Sequence, residues 1–215
     1  MKLWQKDTAS LKEVEVFTVG RDREFDLMLA PFDIMGSIAH VTMLETVGLL
    51  TREEKDNIID AGREIYKTTS HTHPLSSEAL PAGQAGSAKE DKATGDKAFI
   101  IQPDVEDVHS QVELLLTQKL GDAGKKIHSA RSRNDQVLVD VKLYLRHELE
   151  GLVKNIQPLF ELLQSQSEKY KSHLFPGYTH LQLAMPSSFG LWFGAYAESL
   201  VDDVVTIKSA YEVVN

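Results

Sequence analysis

Three polar segments of this 215-residue chain combine residue types that could bind or transform a small anion. The first is Glu106–Glu113, in which His109 lies four positions before Glu113 and three after Glu106. Residues at these spacings share one face of a helix, so a carboxylate could hold the histidine for acid–base chemistry. The same pattern is typical of an exposed helix face joined by ion pairs, and the residues alone leave both interpretations open.

The second segment, His128–Asp135, lies directly before a predicted helix and contains Ser132, Arg133 and Asn134. A helix N-terminus offers free N–H groups and the positive end of the helix dipole, and arginine and asparagine side chains add further donors for a carboxylate. This arrangement predicts a pocket for a carboxylate-bearing substrate. The alternative is that Asn134 or Asp135 caps the helix and the arginines are solvated.

The third segment is Gly177–Gln182, within a stretch of residues 175–186 that we expect to be ordered but irregular. It contains Thr179 and His180, and an imidazole titrates near neutral pH, so this histidine could transfer a proton or stabilise charge. The alternative is a histidine that only hydrogen-bonds the local backbone.

The composition excludes several classes of function. With 32 acidic and 23 basic residues the formal net charge is −9, which argues against nucleic acid as a partner. The chain has no cysteine, so disulfides, thiolate metal sites and a cysteine nucleophile are excluded. No apolar run reaches the length of a membrane span, and the charged start does not resemble a signal peptide, so we expect a cytoplasmic protein without membrane contact. His71 and His73 have no third ligand nearby in the sequence, and we predict no metal site.

Apolar residues recur every three or four positions over most of the chain, and this spacing predicts helices. One helix is predicted to stop at Gly48, and the next to begin with a capping box over Thr51–Glu54. Pro103 is predicted in the first turn of a third helix, which Gly121 ends.

The longest periodic run begins near Asp135 and contains Pro158, which we expect to kink or split the helix, with Asn155 as the cap of its second part. The last run begins near Trp192 and its pattern is still running at the end of the chain, which suggests that the chain is cut within or at the end of a helix.

These elements predict an all-α fold. We expect a small N-terminal helical domain over residues 1–127, followed over 128–215 by the first part of a long-helix bundle. Residues 68–98 contain no aromatic residue, isoleucine or valine, and are predicted to form a flexible surface loop or insertion. The long helices have broad apolar stripes that need partners, either from a further part of the chain or from other subunits.

Taken in order, the three segments resemble the argininosuccinate lyase family of the fumarase/aspartase superfamily. Ser132–Gln136 and Gly177–Gln182 are similar to the first two active-site segments of that family, and Glu106–His109 is similar to an earlier segment that bears a histidine. Asp33–His40 and Leu3-Trp4 are similar to the N-terminal region of the family.

The resemblance implies a reversible β-elimination of argininosuccinate to arginine and fumarate, without a metal or an organic cofactor. It implies that His180 is the catalytic histidine, as the base or as the charged partner of the base. It assigns substrate binding to five residues: Ser132, Arg133, Asn134, Thr179 and His109. It also implies a homotetramer in which each active site is built from several subunits.

The chain departs from the family pattern at several places, of which two bear on the active-site segments. The family's third segment, of the type Gly-Ser-Ser-x-Met-Pro-x-Lys-x-Asn, brings a catalytic serine and a lysine but does not occur here, so we expect an incomplete fragment that is inactive alone. Ala130 stands where the family usually has glycine. Two alternatives remain: a superfamily lyase that expels a different amine or hydroxyl group, and an inactive structural homologue of the lens-crystallin kind.

Overall fold

The computed structural model describes residues 12–69 and 98–215, and within these ranges the chain is predominantly helical. The elements are, in chain order, α1 (Lys12–Val19), α2 (Asp22–Asp26), α3 (Ala30–Thr46), α4 (Arg52–Thr69), α5 (Val108–Leu120), α6 (Asp122–Lys125), a 3-10 turn (Lys126–His128), α7 (Arg133–Lys169), β1 (Leu174–Thr179), β2 (Gln182–Ser188) and α8 (Phe189–Val213). The predicted all-α fold class is confirmed, with one small hairpin added. No helix in the described ranges has the length and apolarity needed to cross a membrane.

The chain divides into two compact units, residues 1–141 and 142–215, and the boundary falls inside α7. The predicted domain boundary after residue 127 stays a prediction. Leu3-Trp4, His71 and His73 lie outside the described residues, as does most of the predicted 68–98 loop, whose first two residues belong to α4.

The core of the first unit lies between α3, α4 and α5, which bury their apolar stripes against each other. Burial of each large aliphatic side chain contributes roughly 1.5–3 kcal/mol to stability. The large aliphatic residues with the least exposure in this core are Ile34, Val41, Leu44, Ile58, Val108, Val112 and Leu116. This packing fixes α3 and α5, which carry Asp33 and His109, two of the buried polar residues described below.

Most of the predicted helix ends in the first unit are confirmed. Gly48 follows α3 with a φ of 79°, and a capping box joins Thr51 and Glu54, with hydrogen bonds of 2.9 and 3.2 Å. Gly121 ends α5 with a φ of 61°. The prediction for Pro103 is wrong: α5 begins only at Val108, because the Asp107 carboxylate caps it by accepting from the Ser110 backbone N–H at 2.7 Å.

Pro158 was predicted to kink or split the long helix, and the split is absent: α7 continues through Pro158 over 37 residues. The kink stays a prediction. Asn155 therefore lies within this helix and does not cap a second one. A proline inside a helix removes one backbone hydrogen bond and costs about 3 kcal/mol. The remaining bonds of so long a helix are retained, so this local loss does not end it.

A β-hairpin joins α7 to α8 in the second unit, where the sequence predicted an irregular segment. The two strands are antiparallel, with Thr179 opposite Gln182, and His180 and Leu181 form the two-residue turn. Both turn residues have positive φ values, 48° and 62°, as a type I′ hairpin turn requires. The prediction missed the hairpin because this turn lacks the usual Asn-Gly signal and both strands contain a proline.

The crossing of α7 and α8 anchors both ends of this hairpin. The Phe189 backbone N–H donates to the His173 carbonyl at 3.0 Å, and the Ser167 hydroxyl donates to the Gly190 carbonyl at 2.7 Å. The rings of Phe175 and Phe189 stack with centroids 4.9 Å apart. The base of the hairpin is thus fixed to the two helices while its turn projects from them.

Candidate functional site

The first turn of α7 presents the second predicted segment. The Ser132 hydroxyl accepts from the Asn134 backbone N–H at 3.2 Å, and the Ser132 N–H donates to the Asp135 carboxylate at 3.4 Å. Ser132 is therefore the cap, which corrects the alternative in which Asn134 or Asp135 capped the helix. Ser132 and Asn134 are both exposed, so their side chains are accessible at the positive end of a long helix.

A left-handed residue leads into this turn. Ala130 has a φ of 57°, a region that glycine adopts readily and that costs other residues about 1–2 kcal/mol. The resemblance placed a glycine at this position, and the backbone gives the physical reason for it.

Helix α3 positions the residues on either side of Ala130. The His40 Nε2 donates to the Ser129 carbonyl at 2.8 Å, and the Arg131 guanidinium donates to the Ser37 hydroxyl at 3.0 Å. Burial lowers the pKa of His40, so this imidazole is neutral near pH 7. From the sequence, the α3 segment was expected only to resemble the family. No role was predicted for its Ser37 and His40 side chains.

Arg133 connects the first turn of α7 to α5. Its guanidinium donates to the Ser110 hydroxyl and to Gln136 Oε1, each at 3.3 Å. The carboxylates of Asp107 and Glu113 lie 3.8 and 4.0 Å from guanidinium nitrogens. The side chain is 24% exposed, so the guanidinium is held by protein groups but still reaches the surface.

His109 is buried, with a side chain only 3% exposed, and carboxylates from two other helices hold it. Its Nδ1 lies 2.9 Å from Asp33 Oδ1 and 3.4 Å from Asp140 Oδ2. A carboxylate partner was predicted for this histidine from Glu106 or Glu113, but Glu106 precedes α5 and Glu113 faces Arg133. The expectation that His109 binds substrate stays a prediction.

The sequence reasoning missed the buried polar residues around His109. Asp33, Gln136 and Asp140 are 0%, 5% and 1% exposed, and the Gln136 side-chain amide donates to Asp33 Oδ1. A signal was present: Gln136 and Asp140 are four positions apart within the apolar periodicity of α7, where a core needs no polar side chain. Asp33 likewise directly precedes the apolar stripe of α3.

The charges in this cluster are strongly coupled. Burial, followed by the nearby Asp33 carboxylate, raises the pKa of Asp140 to about 8, although the Arg131 guanidinium opposes this change. Burial lowers the pKa of Arg131, while Asp33 and Asp140 act in the opposite direction. An arginine remains protonated in proteins, so the cluster holds one permanent cation beside two carboxyl groups.

One potential ligand atom from each of Asp33, His109 and Asp140 lies within 4.8 Å of the others, so this group could in principle hold a metal ion. Asp33 Oδ1 already accepts hydrogen bonds from His109 and Gln136, and the Arg131 cation lies nearby. This donor set fits a hydrogen-bonded cluster better than a cation site, since a metal would compete with these donors.

Thr179 and His180 lie together at the exposed turn of the hairpin, in the second unit. The structure thus brings the predicted residues into two groups. The first unit contains His109 and the Ser132–Asn134 turn, linked through Gln136 and Asp33, and the second unit contains the Thr179–His180 pair. That the two groups act on one substrate stays a prediction.

Comparison with known proteins identifies the family. Residues 74–215 match the sequence profile of the family described as Lyase. The chain belongs to this lyase family. Proteins named argininosuccinate lyase from Parabacteroides distasonis and Bacteroides fragilis are 53% and 51% identical to it over 215 and 214 residues. The predicted resemblance is confirmed, and the chain spans 42% of the length of both relatives.

Solved structures support the fold of this lyase chain. A fumarate lyase:delta crystallin from Brucella melitensis, bound to cobalt, aligns with 94% of the chain at a TM-score of 0.66 and 15% identity, over 43% of that protein's chain. An EDDS lyase variant with bound fumarate aligns with 97% of the chain at a TM-score of 0.63 and 19% identity, over 36% of its own length. At such low identities these matches show the fold alone.

Proposed function

We propose that the protein is an argininosuccinate lyase, which eliminates arginine from argininosuccinate to leave fumarate, and that the reverse addition also occurs. The observation that carries this proposal is the 51–53% identity to argininosuccinate lyases over the whole chain. The exposed, donor-rich first turn of α7 supports it, since the substrate carries several carboxylates and a helix N-terminus favours anions.

The chemistry requires a base and a set of donors. A C–H bond next to a carboxylate loses its proton to the base, charge builds on that carboxylate, and the C–N bond then breaks to release arginine. Preorganised donors aimed at the developing charge supply much of the rate in such reactions. We assign these donors to Asn134 and Thr179, with Ser132 and Arg133 framing the carboxylates.

His180 is assigned to proton transfer, as the base or as the charged partner of the base. Its place at the exposed tip of a two-residue turn supports this role, because the anchored hairpin fixes the backbone from which the imidazole extends into solvent. His109 is buried. We assign it to the substrate pocket through Asp33, which also accepts a hydrogen bond from Gln136 in the first turn of α7.

The proposal includes the assembly and the location of the protein. We infer a homotetramer in the cytoplasm that acts on a small-molecule substrate without a cofactor. Exposed apolar side chains on the helices of the second unit support the assembly, because such surfaces are usually covered by a partner. They include Leu152, Leu191, Trp192, Val201 and Val205.

The test is an assay of the complete gene product with argininosuccinate, in which fumarate formation is followed by ultraviolet absorbance. We expect turnover in the wild type, a loss of at least about 100-fold in kcat for His180→Asn, and near wild-type activity for the control His147→Asn on α7. Fumarate release from a different succinyl substrate, but not from argininosuccinate, would identify another lyase. No release from any such substrate would favour a structural homologue. The 215-residue chain alone is expected to show no turnover.

A further inference from the structure

Two buried carboxyl groups beneath the first turn of α7 have oxygen atoms that lack hydrogen-bond partners. Asp33 Oδ1 accepts from His109 and from Gln136. In contrast, Asp33 Oδ2 and both oxygens of Asp140 are buried without a hydrogen-bond partner among the described residues. A buried polar atom without a partner is rare and calls for an explanation, because its desolvation is not offset.

A proton shared between the two carboxyl groups would account for Asp33 Oδ2 and one oxygen of Asp140, while Asp140 Oδ2 lies 3.4 Å from His109 Nδ1. The ligand atoms of Asp33, His109 and Asp140 all lie within 4.8 Å of one another, and the two aspartates are almost completely excluded from water. Two ionised carboxylates at such a distance disfavour each other strongly, as in paired catalytic carboxyls. A proton on one of them removes one charge and also supplies the missing donor.

We propose that Asp33 and Asp140 share one proton, which Asp140 carries and donates to Asp33 Oδ2, and that this pair positions the first turn of α7 for substrate binding. The pair joins α3 to α7, and His109 adds α5 through its bond to Asp33. Gln136, which donates to the same carboxylate, lies on the turn that begins at Arg133. The positioning role rests on the proposed function, whereas the shared proton does not.

The titratable and charged groups that face the pair are consistent with one negative charge on it. They are His109 from α5, Arg131 from the residues before α7, and Asp26 from α2. The Arg131 cation balances the charge of one carboxylate of the pair. The Asp26 carboxylate adds negative potential and disfavours ionisation of the second carboxyl group. Burial and the Asp33 carboxylate raise the pKa of Asp140 to about 8, so the carboxyl group is neutral at pH 7 and ionises in mildly alkaline solution.

The direct test is infrared difference spectroscopy of the complete protein between pH 7 and pH 10. We expect wild type to show the C=O stretch of a protonated carboxylic acid at pH 7 and to lose it on titration. Asp140→Asn should lack this band, while its amide still donates to Asp33 Oδ2 and maintains the fold. The matched control Asp60→Asn, an exposed carboxylate on α4, should retain the band. Absence of the band from wild type at pH 7, or its presence in Asp140→Asn, refutes the shared proton.

The same spectra distinguish a cation site. Addition of Zn²⁺ or Mg²⁺ at pH 7 should leave the band of the wild type unchanged. If either ion abolishes the band in wild type and in Asp60→Asn, the ion displaces the proton and the two carboxylates form a cation site, which overturns the shared proton as the state of the pair in the presence of these ions.

The positioning role is tested by the pH dependence of kcat/KM. At a pKa of about 8, the neutral form of Asp140 falls roughly tenfold between pH 7 and pH 9. In wild type and Asp60→Asn, kcat/KM should therefore fall about tenfold more over that range than it does in Asp140→Asn. The fall should come mainly from a higher KM. Equal alkaline limbs in all three proteins, together with the infrared band in wild type, would refute the positioning role alone. Absence of activity in every protein would instead refute the proposed function.

Discussion

Replacement of Gly190 by alanine tests whether the close crossing of α7 and α8 positions the hairpin. Gly190 is buried in the first turn of α8, immediately after the strand that returns from His180. A Cβ atom added there would lie 2.6 Å from the Lys171 Cα and 2.7 Å from the Ser167 backbone oxygen. Carbon atoms normally approach to about 3.5 Å, so the new methyl group is about 0.9 Å too close to backbone that cannot rotate away.

The helices must therefore separate, and the cost can be estimated. Overpacking of this kind costs typically 1–3 kcal/mol, and the 2.7 Å bond from the Ser167 hydroxyl to the Gly190 carbonyl contributes a further 1 kcal/mol or so. Alanine regains about 0.5–1 kcal/mol over glycine in a helix. We expect a net destabilisation of roughly 1–3 kcal/mol. We also expect a reduced kcat, because the hairpin loses the fixed base that orients His180.

Gly151→Ala is the matched control, because Gly151 lies within α7 and an added Cβ there meets no atom within 4 Å. It should raise stability by about 0.5–1 kcal/mol through helix propensity alone and leave kcat unchanged. Urea denaturation followed by circular dichroism would compare both variants with wild type. If Gly190→Ala proves as stable as Gly151→Ala, α7 and α8 do not cross closely enough to exclude a methyl group at residue 190, and the prediction is refuted.

Three further predictions concern other parts of the chain. Ala130→Gly should stabilise the protein by about 1 kcal/mol in urea denaturation, because it relieves a residue with a φ of 57° before α7; a loss of stability would contradict this. Ser188→Ala removes the α8 cap, whose hydroxyl accepts from the Leu191 N–H at 3.1 Å, and should cost about 1 kcal/mol, whereas the exposed Ser209→Ala should change stability by less than about 0.5 kcal/mol. The pKa of Asp140 is raised from 3.8 to about 8, so the folded state holds a proton that the unfolded state releases, and stability should fall as pH rises between these values. For one such group, the free energy of unfolding falls by roughly 1.4 kcal/mol per pH unit. Denaturation at pH 5, 6, 7 and 8 should show this slope in wild type but not in Asp140→Asn, and equal slopes in the two proteins would refute the prediction.

Local features were predictable because they depend on neighbours in the sequence. The capping box at Thr51–Glu54 and the glycines after α3 and α5 end or begin helices through contacts within a few residues. Their sequence patterns therefore predict these helix ends without knowledge of the tertiary structure. The order of the polar segments also sufficed for the resemblance to a lyase family, and the comparisons confirm it. The predicted split at Pro158 is wrong, since one missing hydrogen bond does not end a 37-residue helix.

The tertiary structure alone decided which groups hold the site residues. The partners of His109 come from α3 and α7, 76 residues before it in one case, and no local spacing indicates a contact that depends on three helices packing together. The hairpin that presents His180 has a turn of two non-glycine residues with positive φ, a conformation that their own preferences disfavour and that pairing with the strands must stabilise. Local sequence thus determines those helix ends that are capped within one turn, such as the ends at Gly48, Thr51 and Gly121. The fold determines which carboxylates are buried together, because burial requires distant helices to exclude water at the same place.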